Sequence, residues 1–240
     1  MNAIPRAAVA ADIERFVARD VAARTRGDRV RLARDVIAWA YATYGADLTV
    51  ASSMGDEALL HVAAQAAPGI DVFFLDTGYH FAETLGTRDA YAVMLPLSIR
   101  TVVPELSVVE QDVAYGPRLH ERDPDRCCAM RKVAPLEKAL EGYAAWITGV
   151  RRVDAITRAG TPVVEWDEKR SMLKINPIVG WSHDEVDMYA AEHGIFLNPL
   201  RELGFASIGC SPCTRPVADG EDQRSGRWSG KNKVECGLHI

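Results

Sequence analysis

No stretch of the 240-residue chain stays apolar for the roughly 18 residues that a spanning helix needs, so the sequence predicts no transmembrane segment. Basic charge is not in excess either. The 28 Lys and Arg face 33 Asp and Glu, a formal charge of −5, which removes the general electrostatic reason to bind nucleic acid. Neither Gly-x-x-x-x-Gly-Lys-Ser/Thr nor Gly-x-Gly-x-x-Gly occurs, so a standard P-loop and a standard dinucleotide fingerprint are both excluded. Internal repeats and low-complexity tracts are missing. The first residues, Met1 to Ala11, lack the basic, apolar and small-residue order of a secretory signal, which predicts a cytoplasmic protein. Cysteine is sparse and odd in number: the five are at 127, 128, 210, 213 and 236. That count, in a chain without an export signal, argues against a disulfide framework and for a metal site, a redox site or both.

What remains is an ordinary globular composition, 48% hydrophobic and 25% charged, long enough for one substantial core. Apolar residues recur at three- and four-residue intervals from Val9 to Arg24 and from Asp28 to Tyr44, predicting two amphipathic helices. A β-rich run at 47–51 then leads through the polar loop Ser52 to Glu57 into a helical stretch at 58–67. The near-continuous apolar run 71–75 reads as a strand buried on both faces and ends in Asp76-Thr77-Gly78. The pattern repeats at 98–103, with a helix after Pro104, and at 144–148, before Gly149 and Arg151-Arg152. Alternation of this kind implies an α/β domain with a doubly wound, mostly parallel sheet and helices on both faces. The three polar turns would then converge beyond the carboxyl ends of the strands. Segments 161–165 and 171–175 suit a short hairpin, and 182–193 a Ser-capped helix. From Asp219 onward, spaced glycines and charges leave too few large apolar side chains for a core. We therefore divide the chain into a domain over 1–218 and a mobile C-terminal segment over 219–240.

Cys127-Cys128 and Cys210-Ser211-Pro212-Cys213 form two close pairs. Four thiolates suit a zinc ion. Adjacent cysteines fit one ion awkwardly, because successive side chains diverge, whereas an iron–sulfur cubane offers separate iron atoms; zinc and a thioredoxin-like dithiol remain the competing readings. The fifth cysteine, Cys236, lies near Arg224, Arg227, Lys231, Lys233 and His239, a setting suited to a nucleophilic thiol. A solvated terminal thiol is the plain alternative. The loop at Ser52 and Ser53 opens a helix, so it could cradle an anion or merely cap.

These motifs together resemble the assimilatory sulfonucleotide reductases, specifically the iron–sulfur type acting on adenosine 5′-phosphosulfate. The matching stretches are Leu75-Asp76-Thr77-Gly78, Cys127-Cys128 with Arg131-Lys132, Trp146 to Arg152, Gly209 to Cys213, Arg224 to Trp228 and Glu235-Cys236-Gly237-Leu238-His239. The resemblance implies an adenine nucleotide alpha-hydrolase-like fold with a flexible C-terminal tail. It implies a [4Fe–4S] cluster on Cys127, Cys128, Cys210 and Cys213, and a nucleotide pocket using Ser52, Ser53, Asp76 and Thr77. Lys132 would stand between cluster and substrate. Arg151 or Arg152 would meet the phosphosulfate, with Arg224, Arg227 and His239 closing over it. The reaction implied is reduction of adenosine 5′-phosphosulfate to sulfite and AMP, in sulfate assimilation and cysteine biosynthesis. It would proceed through an S-sulfonated Cys236, with thioredoxin or a similar dithiol as electron donor. The sequence is compatible with a homo-oligomer. Asp154-Ala155 stands where many relatives carry Gln-Ser, and Met54-Gly55-Asp56 replaces an Ala-Glu-Asp form. Reduction of the 3′-phosphorylated nucleotide, an ATP-dependent activity on tRNA and a redox-sensing cluster protein are the alternative functions.

Overall fold

In a computed structural model, which describes residues 6–218, 220–231, 233 and 235–238, the chain builds one six-stranded sheet. The strands β1 (Leu48–Ser52), β2 (Asp71–Leu75), β3 (Ser98–Val102), β4 (Ala145–Thr148), β5 (Val164–Asp167) and β6 (Met172–Ile175) lie in the order β3-β2-β1-β4-β6-β5. Val50 of β1 pairs in parallel with Val72 of β2 on one side and Ile147 of β4 on the other. β3 and β6 extend the parallel sheet, and β5 closes an antiparallel hairpin on β6. The helices are α1 (Arg6–Ala22), α2 (Arg26–Tyr44), α3 (Glu57–Ala66), α4 (Ala82–Met94), α5 (Val108–Tyr115), α6 (Leu119–Arg122), α7 (Pro124–Cys128), α8 (Ala134–Leu140) and α9 (His183–His193).

A pleated strand turns successive side chains to opposite faces, and the sheet therefore serves two cores. Val72, Phe74, Ile147 and Leu173 pack with Phe16, Val36, Ile37 and Leu60 from α1, α2 and α3. Phe73, Trp146 and Met172 pack instead with Leu136, Ala139 and Leu140 of α8. Local chemistry sets the helix starts. Thr25 with Asp28, Ser107 with Glu110, and Ser182 with Glu185 each form a reciprocal capping box before α2, α5 and α9. Glu185 also accepts from Arg29 Nε at 3.0 Å, which ties α9 to α2.

The C-terminal stretch packs on the rest of the chain. Trp228 is buried, its amide donates to the Cys213 carbonyl at 3.0 Å, and Arg227 bridges Thr214 in an isolated antiparallel pair. Among the described residues no helix is long and apolar enough to cross a membrane.

Candidate active site

The carboxyl ends of β1, β2 and β4 open into a cleft of about 400 Å³. The strand order reverses between β1 and β4, and open parallel sheets bind ligands at such a switch point. Of the residues singled out from sequence, the cleft gathers Ser52, Ser53, Thr77, Lys132, Arg151, Arg224, Arg227 and Cys236. His239 lies outside the described residues.

The loop after β1 is held by its own polar groups. Ser52 Oγ donates to Asp56 Oδ1 at 2.6 Å and accepts from the Met54 amide at 3.1 Å. Asp56 makes no capping bond to α3, so the side-chain cap expected at this helix start is missing, and its carboxyl faces the cleft. Burial there, only partly offset by the Ser52 hydrogen bond, pushes Asp56 up to about 6. The neighbouring Glu57 is buried and accepts from the Asn198 amide at 2.8 Å, while Asn198 Nδ2 donates to the Met54 carbonyl at 3.3 Å. Glu57 thus braces the loop.

Asp76 and Thr77 separate in role. Asp76 Oδ1 accepts from the Gly78 amide at 2.9 Å, a turn-forming bond, and Asp76 is not among the residues lining the cleft. Thr77 is buried, lies 3.3 Å from Cys210 Sγ through its hydroxyl, and accepts at its carbonyl from Arg131 Nε. Arg151 and Arg152 also diverge. Arg151 lines the cleft and pairs with Asp154 at 2.7 Å. Arg152 turns away to the Asp20 carboxylate on α1 and donates to the Thr161 carbonyl at 2.8 Å. Arg152 therefore joins two segments and Arg151 serves the cleft.

Cys127, Cys128, Cys210 and Cys213 line one adjoining cavity. The first two end α7, whose start is capped by Asp123. A π turn, Ala129–Val133, follows before α8. The extra residue of a π turn re-aims the side chains after it, and Arg131 and Lys132 both become buried. The other pair brackets a short 3-10 helix, Ser211–Cys213, with Cys210 just before it and Cys213 at its end, and the Ser211 amide donates to the Tyr79 carbonyl at 2.7 Å. Burial, then repulsion from the other three thiols, pushes Cys127 up to about 12; Cys128 rises to about 11 and Cys213 also rises, each chiefly through burial. Four thiolates there require a compensating cation, which is the property of a metal-binding donor set. Among the described residues no three His, Cys, Asp or Glu side chains are grouped as around a single metal ion.

Lys132, Arg227 and Trp228 stand between this cavity and the cleft and line both. Lys132 makes no hydrogen bond or ion pair among the described residues, although it is only 9% exposed. Burial opposes its charge, yet the facing sulfurs of Cys210 and Cys236 outweigh that and hold the ammonium above its ordinary range. Arg227 lies over the Trp228 ring at 4.6 Å and donates to the Ile208 carbonyl at 3.2 Å. A Cβ at Gly209 would sit 2.2 Å from the Arg227 guanidinium, so any other residue there would require that side chain to shift.

Among the cleft residues not singled out from sequence for chemistry are Asp56, His80 and Arg158. His80 Nε2 donates to the Leu75 carbonyl at 2.9 Å, and burial holds its imidazole below the ordinary range, in the neutral form. Its position two residues beyond the Asp-Thr-Gly turn was the available signal. Arg158 ends the short helix Ile156–Arg158, with no sequence pattern around it.

Residues 47–216 match the phosphoadenosine phosphosulfate reductase domain. The chain is 56% identical over 207 residues to the adenosine 5′-phosphosulfate reductase of Streptomyces coelicolor, covering 86% of this chain and 88% of that one. Among solved structures it resembles the phosphoadenylyl-sulfate reductase of Candida auris in its phosphate complex. That match has a TM-score of 0.65 at 27% identity and covers 77% of this chain and 90% of the other. The fold extends to the FMN adenylyltransferase of Candida glabrata, with a TM-score of 0.59 at 10% identity over 93% and 85% of the two chains.

Proposed function

The chain belongs to the phosphoadenosine phosphosulfate reductase family, and we propose that it reduces adenosine 5′-phosphosulfate to sulfite and AMP, with Cys236 as the nucleophile. One observation carries this reading: Cys236 lines the cleft beside Lys132, Arg151, Arg224 and Arg227, while the other four cysteines line the cavity next to it. Ser52 and Ser53, at the end of β1 and in the loop leading to α3, receive the nucleotide phosphate, and the cations gather the phosphosulfate. The Cys236 thiolate attacks the sulfate sulfur. A sulfur–sulfur bond forms, the bond from that sulfur to the bridging oxygen breaks, and AMP leaves with the electron pair. A dithiol such as thioredoxin then attacks Cys236 sulfur, sulfite leaves with the bonding pair, and the second thiol completes a disulfide in the donor. The donor loses two electrons and the substrate sulfur gains them. These steps need Cys236 first in the cleft and then at a partner surface, which fits a division of the chain into 1–218 and a C-terminal segment over 219–240 that moves.

The four-cysteine cavity suits a [4Fe–4S] cluster, because two cysteine pairs from distant segments face one cavity and the adjacent thiols of Cys127 and Cys128 reach separate iron atoms more readily than one ion. Bound there, the cluster would be held by Cys127, Cys128, Cys210 and Cys213 and would join the two cysteine segments behind the cleft. Lys132, on the wall shared with the cleft, supplies positive charge there. A reaction that needs reduced thiols supports the reading of a cytoplasmic protein.

The test mixes the anaerobically purified protein with adenosine 5′-phosphosulfate and no thiol. The peptide containing Cys236 gains a sulfonate mass, and about one equivalent of AMP appears per site. Cys236→Ser binds nucleotide and gives neither product. An adduct on Cys210 or Cys213 would refute the assignment of both the nucleophile and the cluster. Iron and sulfide analysis decides the cofactor separately, and zinc without sulfide would refute the cluster.

A further inference from the structure

The residues flanking Cys236 are anchored on opposite sides of the cleft. On one side the Glu235 carboxylate accepts two hydrogen bonds from a single guanidinium, Arg158 Nε at 2.9 Å and Nη2 at 2.8 Å. Thr157 Oγ1 adds a third at 3.2 Å, and Arg224 Nη2 lies at 3.4 Å. The Glu235 and Arg158 side chains are 9% and 13% exposed, so this is not a solvated surface pair, and fork-to-fork geometry is the strong form of such a bond. Arg158 is itself placed by the short helix Ile156–Arg158 and approaches Asp154, the partner of Arg151, at 3.6 Å. The anchor is therefore continuous with the cations of the cleft.

On the other side Leu238 packs into the apolar cluster formed by Phe73, Trp146 and Leu136. The backbone reverses between the two anchors at Gly237, whose φ of +87° disfavours any residue with a Cβ. Glutamate, cysteine, glycine and leucine thus act in order as electrostatic anchor, reactive thiol, turn and apolar anchor.

We propose that Glu235 and Leu238 are positioning residues that clamp Cys236 in the cleft, and that opening of the Glu235–Arg158 pair releases the thiol toward its electron donor. The proposal rests on the reading of Cys236 as nucleophile. Glu235 occupies Arg158, which lies outside the C-terminal segment, only while the segment is docked, so undocking separates a buried ion pair, and that cost keeps the docked form dominant.

The experiment measures alkylation of Cys236 by iodoacetamide in the holoenzyme without nucleotide, following the Cys236 peptide by mass spectrometry. Glu235→Gln, Arg158→Gln and the double variant are compared with wild type. Each single variant should react on the order of tenfold faster, and the double no faster than either single, because both remove one shared interaction. Arg158→Gln is the decisive arm. Loss of a nearby positive charge alone would not speed alkylation, whereas loss of the clamp does. Leu238→Ala should speed it too without changing any charge. In single turnover, Glu235→Gln should slow sulfonation of Cys236 while sulfite release from the preformed adduct by a dithiol is not slowed. Arg158→Gln alkylated at or below the wild-type rate, or additive effects in the double variant, would overturn the clamp. A wild-type protein never sulfonated at Cys236 would overturn the nucleophile and leave the alkylation result to decide the clamp alone.

Discussion

Asp56→Asn isolates one charge that the fold holds at a cost. Its carboxyl lies in the cleft with the Ser52 hydroxyl at 2.6 Å, and burial raises it from the ordinary 3.8 to about 6. A carboxyl raised in the folded state binds protons more tightly there than in the unfolded chain, so its ionisation opposes folding. The penalty is absent below the unfolded value, grows as pH rises between about 4 and 6, and is constant above about 7. A shift of that size corresponds to at most about 3 kcal/mol above pH 7 and about 1.6 kcal/mol at pH 5. The asparagine keeps a carbonyl oxygen for the Ser52 hydroxyl and carries no charge at any pH. Asp56→Asn should therefore unfold later than wild type, by up to roughly 6–12 °C at pH 8 and by about half of that at pH 5. Anaerobic calorimetry at fixed iron content across pH 5 to 8 measures it. A gain that stays constant with pH, or that is larger at pH 5 than at pH 8, would refute the reasoning, since an effect of shape alone does not titrate.

Three further substitutions test the site. Cys210→Ser should lower iron content and thermal stability together, because ligation would join segments that are far apart in sequence; metal analysis with a melting curve reads both. Lys132→Ala should retain iron but reduce kcat/KM by roughly 10²–10³-fold, since it removes a buried cation that faces the reacting sulfurs; steady-state kinetics at matched cluster content checks this. Arg151→Gln should weaken nucleotide binding with little change in melting temperature. Arg152→Gln should cost about 1–3 kcal/mol of stability by stranding Asp20 and leave nucleotide affinity near wild type; calorimetry and binding titration distinguish the two.

The sheet was legible because its central strands are buried on both faces, and runs such as Val72-Phe73-Phe74 have few other uses. The turns at their carboxyl ends were legible as a group for the same reason: parallel strands must all end on one side. The convergence of Ser52, Ser53, Thr77 and Arg151 needed only the strand order, not the contacts. The π turn after Cys128 was not legible, because a widened turn leaves the apolar periodicity of so short a stretch almost unchanged.

The harder failures share one physical cause, which is that the direction of a polar side chain is decided by its partner. Arg151 and Arg152 are adjacent and chemically identical. Arg152 is drawn to Asp20, 132 residues earlier, and Arg151 to Asp154, three residues later. Asp76, beside the cleft-lining Thr77, turns its carboxylate to a backbone amide two residues on. Arg158 carries no local signal because its significance comes from Glu235, 77 residues away. A buried charge must find an opposite charge or a hydrogen bond, and the fold as a whole chooses which. The sequence of a polar turn therefore predicts that charges gather at the end of a sheet. Which of them face the ligand depends on which are already taken by the frame, and here that selection leaves Arg151 to the cleft and commits Arg152 to the scaffold.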